Sequence, residues 1–488
     1  MRSRTVLLLA AAWLVVAGGS TVARGQEAQW KAFTDSGWRL ARKGDPAAGD
    51  HLAKALTHAQ GFPPGDARRA LTQSYQAFVA GKAGKAADAD RHAREALAAL
   101  DALPADSADP YAGRGLNALA SLYQARKDYS RADQLYRRAL AAEEKARGAN
   151  GVGVALVLGN RAGLLEEQGR YEEAEPLRER EVQILDTPTA PGRADLAAAA
   201  HLAAGRMYRQ WGRDAKAEPH LARAVELKWK SGNRNDPAAI PYLIELGRLY
   251  LALKQPAKAN LPLRHVLEQR EKSAGKTPQE QVELADALHD MGCLHLLAGR
   301  PTSAEPLLVQ ALRIREKAFP AGDLRTAVTL HALATLHVSR KRSQQAEGEL
   351  QRAYQIKQKV LGADHAGTAA ALEDLGLLSA RTNDLESAAG YFRKALAARE
   401  RSAGPRHPSV AGTLHHLANA YRDLRQYADA EPLYRRAVAI KEKEYGPDNP
   451  ELASVLDSYA AMLLKAGRAA DAAAAAKRAN ALRAKTGG

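Results

Sequence analysis

The sequence predicts an all-α chain, a solenoid of about eleven stacked helix-turn-helix units, and three observations carry that reading. One motif keeps returning, as AEPLRERE from Ala174, AEPHLARA from Ala217, AEPLLVQA from Ala304 and AEPLYRRA from Ala430. Around each copy the apolar residues fall on two faces of helical period. Aromatic residues make up only 5% of a chain that is 46% hydrophobic, so Ala and Leu must fill the core, which suits close-packed helices better than sheets. A catalytic loop needs to occur once, whereas a module that buries its apolar face only against a neighbour must be copied.

Residues 1–25 stand apart. MRSR gives a basic start, TVLLLAAAWLVVAGG an apolar run, and Thr21-Val22-Ala23 or Ala23-Arg24-Gly25 a small-residue cleavage site, together an export signal. The alternative is an uncleaved anchor, since Thr5 to Ala23 is nearly long enough to span a bilayer. Cys293 is the only cysteine, so no intramolecular disulfide forms and packing must supply the stability.

Taking the small residue that opens each echo as an anchor gives Ala48, Ala89, Ala132, Ala174, Ala217, Ala259, Ala304, Ala346, Ala388, Ala430 and Ala472, at intervals of 41 to 45 residues. Units of that length fill the chain after the signal and leave no room for a second domain. Residues 26–112 hold degenerate units, and 113–488 regular ones. In the unit around Ala430, Leu414, Leu417, Ala418 and Tyr421 recur at i, i+3, i+4 and i+7, and Leu433, Tyr434, Ala437 and Val438 repeat the pattern after the polar turn DLRQY. That is two antiparallel helices joined tightly. Pro176, Pro219, Pro262, Pro306 and Pro432 are expected in the first turn of the second helix, where an N–H has no intrahelical partner to lose. Between units, LGADHAGTA, AGPRHPSVA and YGPDNPELA supply Gly to stop a helix and, in the last two, Pro to open the next.

Small residues at Ala120, Ala162, Gly205, Gly247, Gly292, Ala334, Gly376, Ala418 and Ala460, with an aromatic three positions on at Tyr123, Tyr208, Tyr250 and Tyr421, resemble the tetratricopeptide pattern. The period of about 42 and the GPxHPxxA-like linkers are similar to the subclass of kinesin light chains and many bacterial repeat proteins. This resemblance implies a right-handed solenoid whose first helices line a concave groove, and peptide ligands that include acidic and Trp-containing segments. Asn117, Asn160 and Asn419 answer to the asparagines that hold the peptide backbone in that family.

No phosphate-binding, dinucleotide, nucleophile-elbow or zinc-protease motif occurs, which points away from an enzyme and from any cofactor. His289 and Cys293 share a helix face, but His295 takes the place of the buried Tyr, and His337 does so one unit later, so packing rather than a metal site is expected. The first-helix face changes along the array. It reads Asn117, Gly159, Leu202, Ile244, His289, His331, Glu373, His415 and Asp457 at one position, and Ser121, Gly163, Arg206, Arg248, Cys293, Thr335, Leu377, Asn419 and Ala461 four residues later. Arg206, Arg209 and Arg213 repeat at i, i+3 and i+7, with Arg248 one unit beyond Arg206. They could clamp carboxylates of an acidic peptide, or be absorbed by Glu166 and Glu245. His289, His331 and His415 fall at one position and could tune binding between about pH 5 and 8.

The net charge is +16; losing Arg2, Arg4 and Arg24 with the signal takes three from 71 basic residues against 55 acidic ones and leaves +13. Basic residues are scattered through every segment, which reads as a solvated surface. The function expected is an exported, non-enzymatic scaffold that binds protein or peptide segments, with no nucleic acid, and a monomer. The alternative is an envelope factor whose basic surface meets anionic wall or membrane components.

Overall fold

In the computed structural model, residues 25–484 are described, except 64, 105–106, 187–192, 232–235, 274, 276 and 321. The predicted export signal therefore lies outside the described residues, Gly25 apart. The described residues form twenty-two α-helices, a short 3₁₀ turn at Pro237–Ala239 and no strand. None of these helices is long and apolar enough to cross a membrane.

The chain divides into two compact units, Met1–Leu249 and Tyr250–Gly488. The first holds α1 (25–43), α2 (Ala48–Ala59), α3 (Ala67–Lys82), α4 (Ala86–Asp101), α5 (Ala112–Ala125), α6 (Tyr129–Arg147), α7 (Val152–Glu167), α8 (Tyr171–Leu185), α9 (Arg193–Gln210), α10 (Asp214–Ser231) and most of α11 (Ile240–Ala252). The second holds α12 (Pro256–Ser273), α13 (Pro278–Leu297), α14 (Pro301–Ala318), α15 (Leu324–Ser339), α16 (Ser343–Leu361), α17 (Ala366–Arg381), α18 (Leu385–Ala403), α19 (Pro408–Asp423), α20 (Tyr427–Tyr445), α21 (Leu452–Lys465) and α22 (Ala469–Ala484). Within each unit, odd-numbered helices pair with the even-numbered helix that follows, and each hairpin packs on the next, so both units are stretches of α-solenoid.

All eleven anchor alanines are buried, each in the first turn of a second helix, where the paired helix comes close. The recurring small residues serve the same contact from the first helix. A methyl group added at Gly205 would lie 2.5 Å from Leu221, at Gly292 2.6 Å from Leu308 and at Gly376 2.6 Å from the Phe392 ring. Two large residues facing each other there would force the hairpin open.

The hairpin turns share a device that the repeated motif does not reveal. One residue per hairpin is left-handed: Gly44, Gly84, Lys127, Gly169, Gly212, Lys254, Gly299, Lys341, Asn383, Arg425 and Gly467. The following amide then reaches back five residues, as in Gln426 N–H to Tyr421 O at 2.8 Å and Arg342 N–H to His337 O at 2.8 Å. This closes the first helix and launches the second.

Two expectations need correction. The prolines lie beyond the first turn: Pro176, Pro219, Pro306 and Pro432 are the sixth residues of their helices, and Pro262 is the seventh. Each therefore removes a true helical hydrogen bond. At the four sixth positions both the proline and the residue four before it are exposed, so water can satisfy the freed carbonyl. In the linkers, Pro408 opens α19 as expected, but Pro450 precedes the start of α21, whose cap is Glu451. His365 and His407, not singled out from sequence, cap α17 and α19 by accepting the Gly367 and Ser409 amides at 3.0 and 3.2 Å.

Candidate functional site

First helices of consecutive hairpins touch along one register. The residue three before the recurring small residue meets the one two before it in the next hairpin. Asn160 Nδ2 donates to Asn117 Oδ1 at 3.0 Å between α7 and α5; His331 Nε2 lies 3.1 Å from Asp374 Oδ2 between α15 and α17; His415 Nε2 lies 2.8 Å from Ser458 Oγ between α19 and α21. Asn117, His331 and His415 were candidates; their partners Asp374 and Ser458 were not. The missed signal is a polar residue at the position two before the small one.

Arg206 and Arg209 converge on one carboxylate: Arg206 Nε lies 2.9 Å from Glu245 Oε1, and Arg209 Nη1 3.0 Å from Glu245 Oε2. Glu245 thus serves these two rather than Arg248 alone. Arg213 leaves the expected face, because α9 ends at Gln210 and its guanidinium lies 3.5 Å above the Trp211 ring centre in the turn. Glu166, expected opposite Arg209, instead pairs with the buried Arg178 at 2.7 Å. Arg178 also holds Glu181, whose carboxyl burial pushes upward.

The remaining candidates separate by environment. Burial, reinforced by neighbouring His416, pulls the His415 pKa down to about 4, which takes this imidazole out of the pH 5–8 window. Half-buried Asn419 accepts the Tyr434 hydroxyl at 2.6 Å through its Oδ1, within its own hairpin. Glu373 is held by Arg399 at 2.6 Å and by the Thr413 hydroxyl. Cys293 Sγ lies 3.5 Å from His289 Nε2, and His289 Nδ1 lies 3.5 Å from Thr329 Oγ1. Among the described residues no three His, Cys, Asp or Glu side chains group as metal ligands.

One part of this face in the second unit is concave. Between α15 and α17 a depression of about 180 Å³ is lined by His331, Thr335, Val338, Asp374, Leu377 and Arg381, among others. Leu377 is 40% exposed. The His331–Asp374 pair stands on its rim, and Arg381 has no partner among the described residues. A partly open apolar wall beside fixed polar groups suits one side chain and the adjoining backbone of a bound chain, and is smaller than the usual pocket for a free small ligand.

Fold and face together define a helical-repeat protein. Models of the tetratricopeptide repeat match residues 111–187, 324–401 and 409–485, and a second such model matches 284–323, together just over half of the chain. The chain belongs to the tetratricopeptide-repeat family. Among curated proteins none matches the sequence. Among solved structures it is similar to the apo form of RapI, with 12% identity over 77% of this chain and 98% of that one and a TM-score of 0.51. It is also similar to BtubC (BKLC) from P. vanneervenii, with 22% identity over 46% of this chain and 90% of that one and a TM-score of 0.41. A putative kinesin light chain with nearly identical TPR-like repeats from Podospora anserina shows 22% identity over 43% and 99%, with a TM-score of 0.39.

Proposed function

We propose that this protein is an exported, non-enzymatic scaffold that holds a segment of another protein against the first helices of its hairpins. The observation that supports this best is the depression between α15 and α17, where Leu377 and Val338 offer apolar contact and His331, Asp374 and Arg381 offer polar contact within reach of one bound chain. The groups stand on packed helices, so the partner loses its freedom on binding while the platform loses little. Tetratricopeptide-repeat proteins bind peptides or proteins, and a helical wall of this kind fits that use. An apolar side chain followed by an acidic one is the segment this depression matches, with Arg381 facing the carboxylate.

The Arg206–Glu245–Arg209 network is a less ready site, because an incoming carboxylate would have to displace Glu245. The test places a photo-crosslinking residue at Leu377 and another at the outward-facing Val309 of α14. Partner protein captured from envelope extract at 377 and not at 309 is expected; equal capture at both would remove the groove reading. Export rests on residues 1–25, and the mature N-terminus measured by sequencing decides it. A chain that still begins at Met1 in the membrane fraction would replace cleavage with anchoring.

A further inference from the structure

A few of the basic residues that look scattered in the sequence are brought into one row by the fold. In the second unit, each of five successive hairpin turns presents one exposed cation with no hydrogen-bond or ion-pair partner among the described residues: Lys254, Arg300, Lys341, Arg381 and Arg425. Several acidic groups near these turns are engaged, while Glu386 and Asp429 stand exposed in the first turns of α18 and α20. Glu305 holds Arg340 and Arg342, Asp423 holds Arg422 and Lys465, and Asp384 caps α18 through the Ser387 amide. The linker residues themselves, at the opposite ends of the helices, are more acidic, although the last turns of the second helices beside them are basic. There Asp323, Asp364, Asp448 and Glu451 face one described linker cation, Arg406, and three of the four acids neutralise helix cations as Asp323–Arg325, Asp364–Arg401 and Glu451–Lys441.

A second, independent observation concerns backbone strain. Lys254, Lys341 and Arg425 occupy the left-handed position, with φ of 56°, 59° and 64°, where Gly299 and Gly467 serve in other hairpins of the same unit. Sterics favour Gly or Asn there, and a long basic side chain is a strained choice. Cations are thus kept at the turn against the local preference.

We infer that this edge of the second unit binds a linear polyanion of the phosphate-chain type, one anionic group to each hairpin turn. Each hairpin of the second unit packs on the next, so successive turn cations lie roughly 10 Å apart. That is about one Debye length at 0.1 M salt, so their fields overlap. The nearest aromatic rings, Tyr250 and Tyr427, pack into the cores and offer no stacking platform for nucleic-acid bases. A single file of cations fits a flexible chain threaded along the turns. The surface is separate from the Leu377 depression except at Arg381.

The experiment measures binding of labelled long-chain inorganic polyphosphate by fluorescence anisotropy over a salt series. It compares the full chain with Lys254→Gln/Arg300→Gln/Lys341→Gln/Arg381→Gln/Arg425→Gln and with a charge-matched control, Arg313→Gln/Lys317→Gln/Lys359→Gln/Arg393→Gln/Lys443→Gln, exposed on the second helices. The edge variant is expected to lose at least tenfold in affinity, and about three to four from the slope of log K against log salt. The control should change little. Equal losses in both variants would overturn the proposal, as would unaltered binding by the edge variant. Lys254→Gly/Lys341→Gly/Arg425→Gly removes three cations while relieving backbone strain, so it stays informative if the fivefold variant folds poorly; wild-type affinity in it would also overturn the proposal. Edge-dependent binding to phosphatidylglycerol vesicles without polyphosphate binding would reject the polymer in favour of a lipid surface.

Discussion

At the scale of single residues, hairpin geometry sets the constraints. Lys341 pays about 1–2 kcal/mol for its left-handed backbone, against the 0.5–1 kcal/mol of chain entropy that Gly would lose on folding. Lys341→Gly should therefore raise stability by about 0.5–1 kcal/mol in urea unfolding, and a loss would mean the side chain is structurally engaged. Gly376→Ala should do the opposite. Its new methyl meets the Phe392 ring at 2.6 Å, and overpacking of about 1–3 kcal/mol exceeds the gain in helix propensity of about 1 kcal/mol. Phe392→Leu in the same chain should recover part of the loss. His415 gives a pH signature. Its folded pKa of about 4 lies below the ordinary 6.5, so between those values the unfolded chain binds the extra proton. Stability is full above pH 6.5 and falls as the pH drops toward 4, by at most about 3 kcal/mol from this group. Urea midpoints at pH 7 and pH 5 should differ less in His415→Gln than in wild type; equal shifts would assign the pH dependence to other groups.

At the scale of helices, the joints between hairpins rest on a clamp eleven residues after the anchor alanine. From that position Arg315 reaches Asp286 at 2.6 Å on its own first helix and the Arg325 carbonyl at 2.7 Å at the start of the next. Arg399 repeats the arrangement two hairpins later, with Glu373 at 2.6 Å and the Ser409 carbonyl at 3.1 Å. Lys228–Asp195, Arg270–Glu283, Lys441–Glu451 and Arg483–Asp457 are variants of the pair. Arg315 is almost fully buried. Arg315→Ala would leave Asp286 and a carbonyl without their partner and should cost about 3 kcal/mol or more, whereas Arg483→Ala, on an exposed pair, should cost under about 1 kcal/mol. Calorimetry of the two variants checks the contrast, and similar costs would mean that burial does not set the clamp's strength.

At the scale of the chain, the described hairpins within each unit pack on their neighbours, so stability is close to a sum of unit and interface contributions. Deleting α21 and α22 should lower the helical circular-dichroism signal by about a tenth and leave the remaining hairpins folded; wholesale loss of helicity would show longer-range dependence. Among the described residues of α22, Ala472, Ala479 and Leu482 are the buried ones, so this helix adds little to the core. Much of this was legible in the amino-acid order. The anchors Ala48 to Ala472, the small residues from Ala120 to Ala460 and the two helical faces recur with the period of the structural unit, because identical packing surfaces demand similar residues. The site was less legible. Sequence placed Arg206, Arg209, His331 and Leu377 on the first helices, since helical period fixes a face. It did not assign Glu245 to both arginines, Asp374 to His331 or Tyr434 to Asn419, because those choices depend on side-chain reach. Nor did it show that Lys254, Arg300, Lys341, Arg381 and Arg425 come to stand unpaired, among the described residues, at successive hairpin turns. By itself the sequence determined a helical-repeat chain and the residues that build it, since periodic burial writes itself into periodic composition. Only the tertiary structure decided which polar groups are spent on one another and which remain for a partner, since ion pairing joins residues about forty positions apart through distances that spacing alone does not encode.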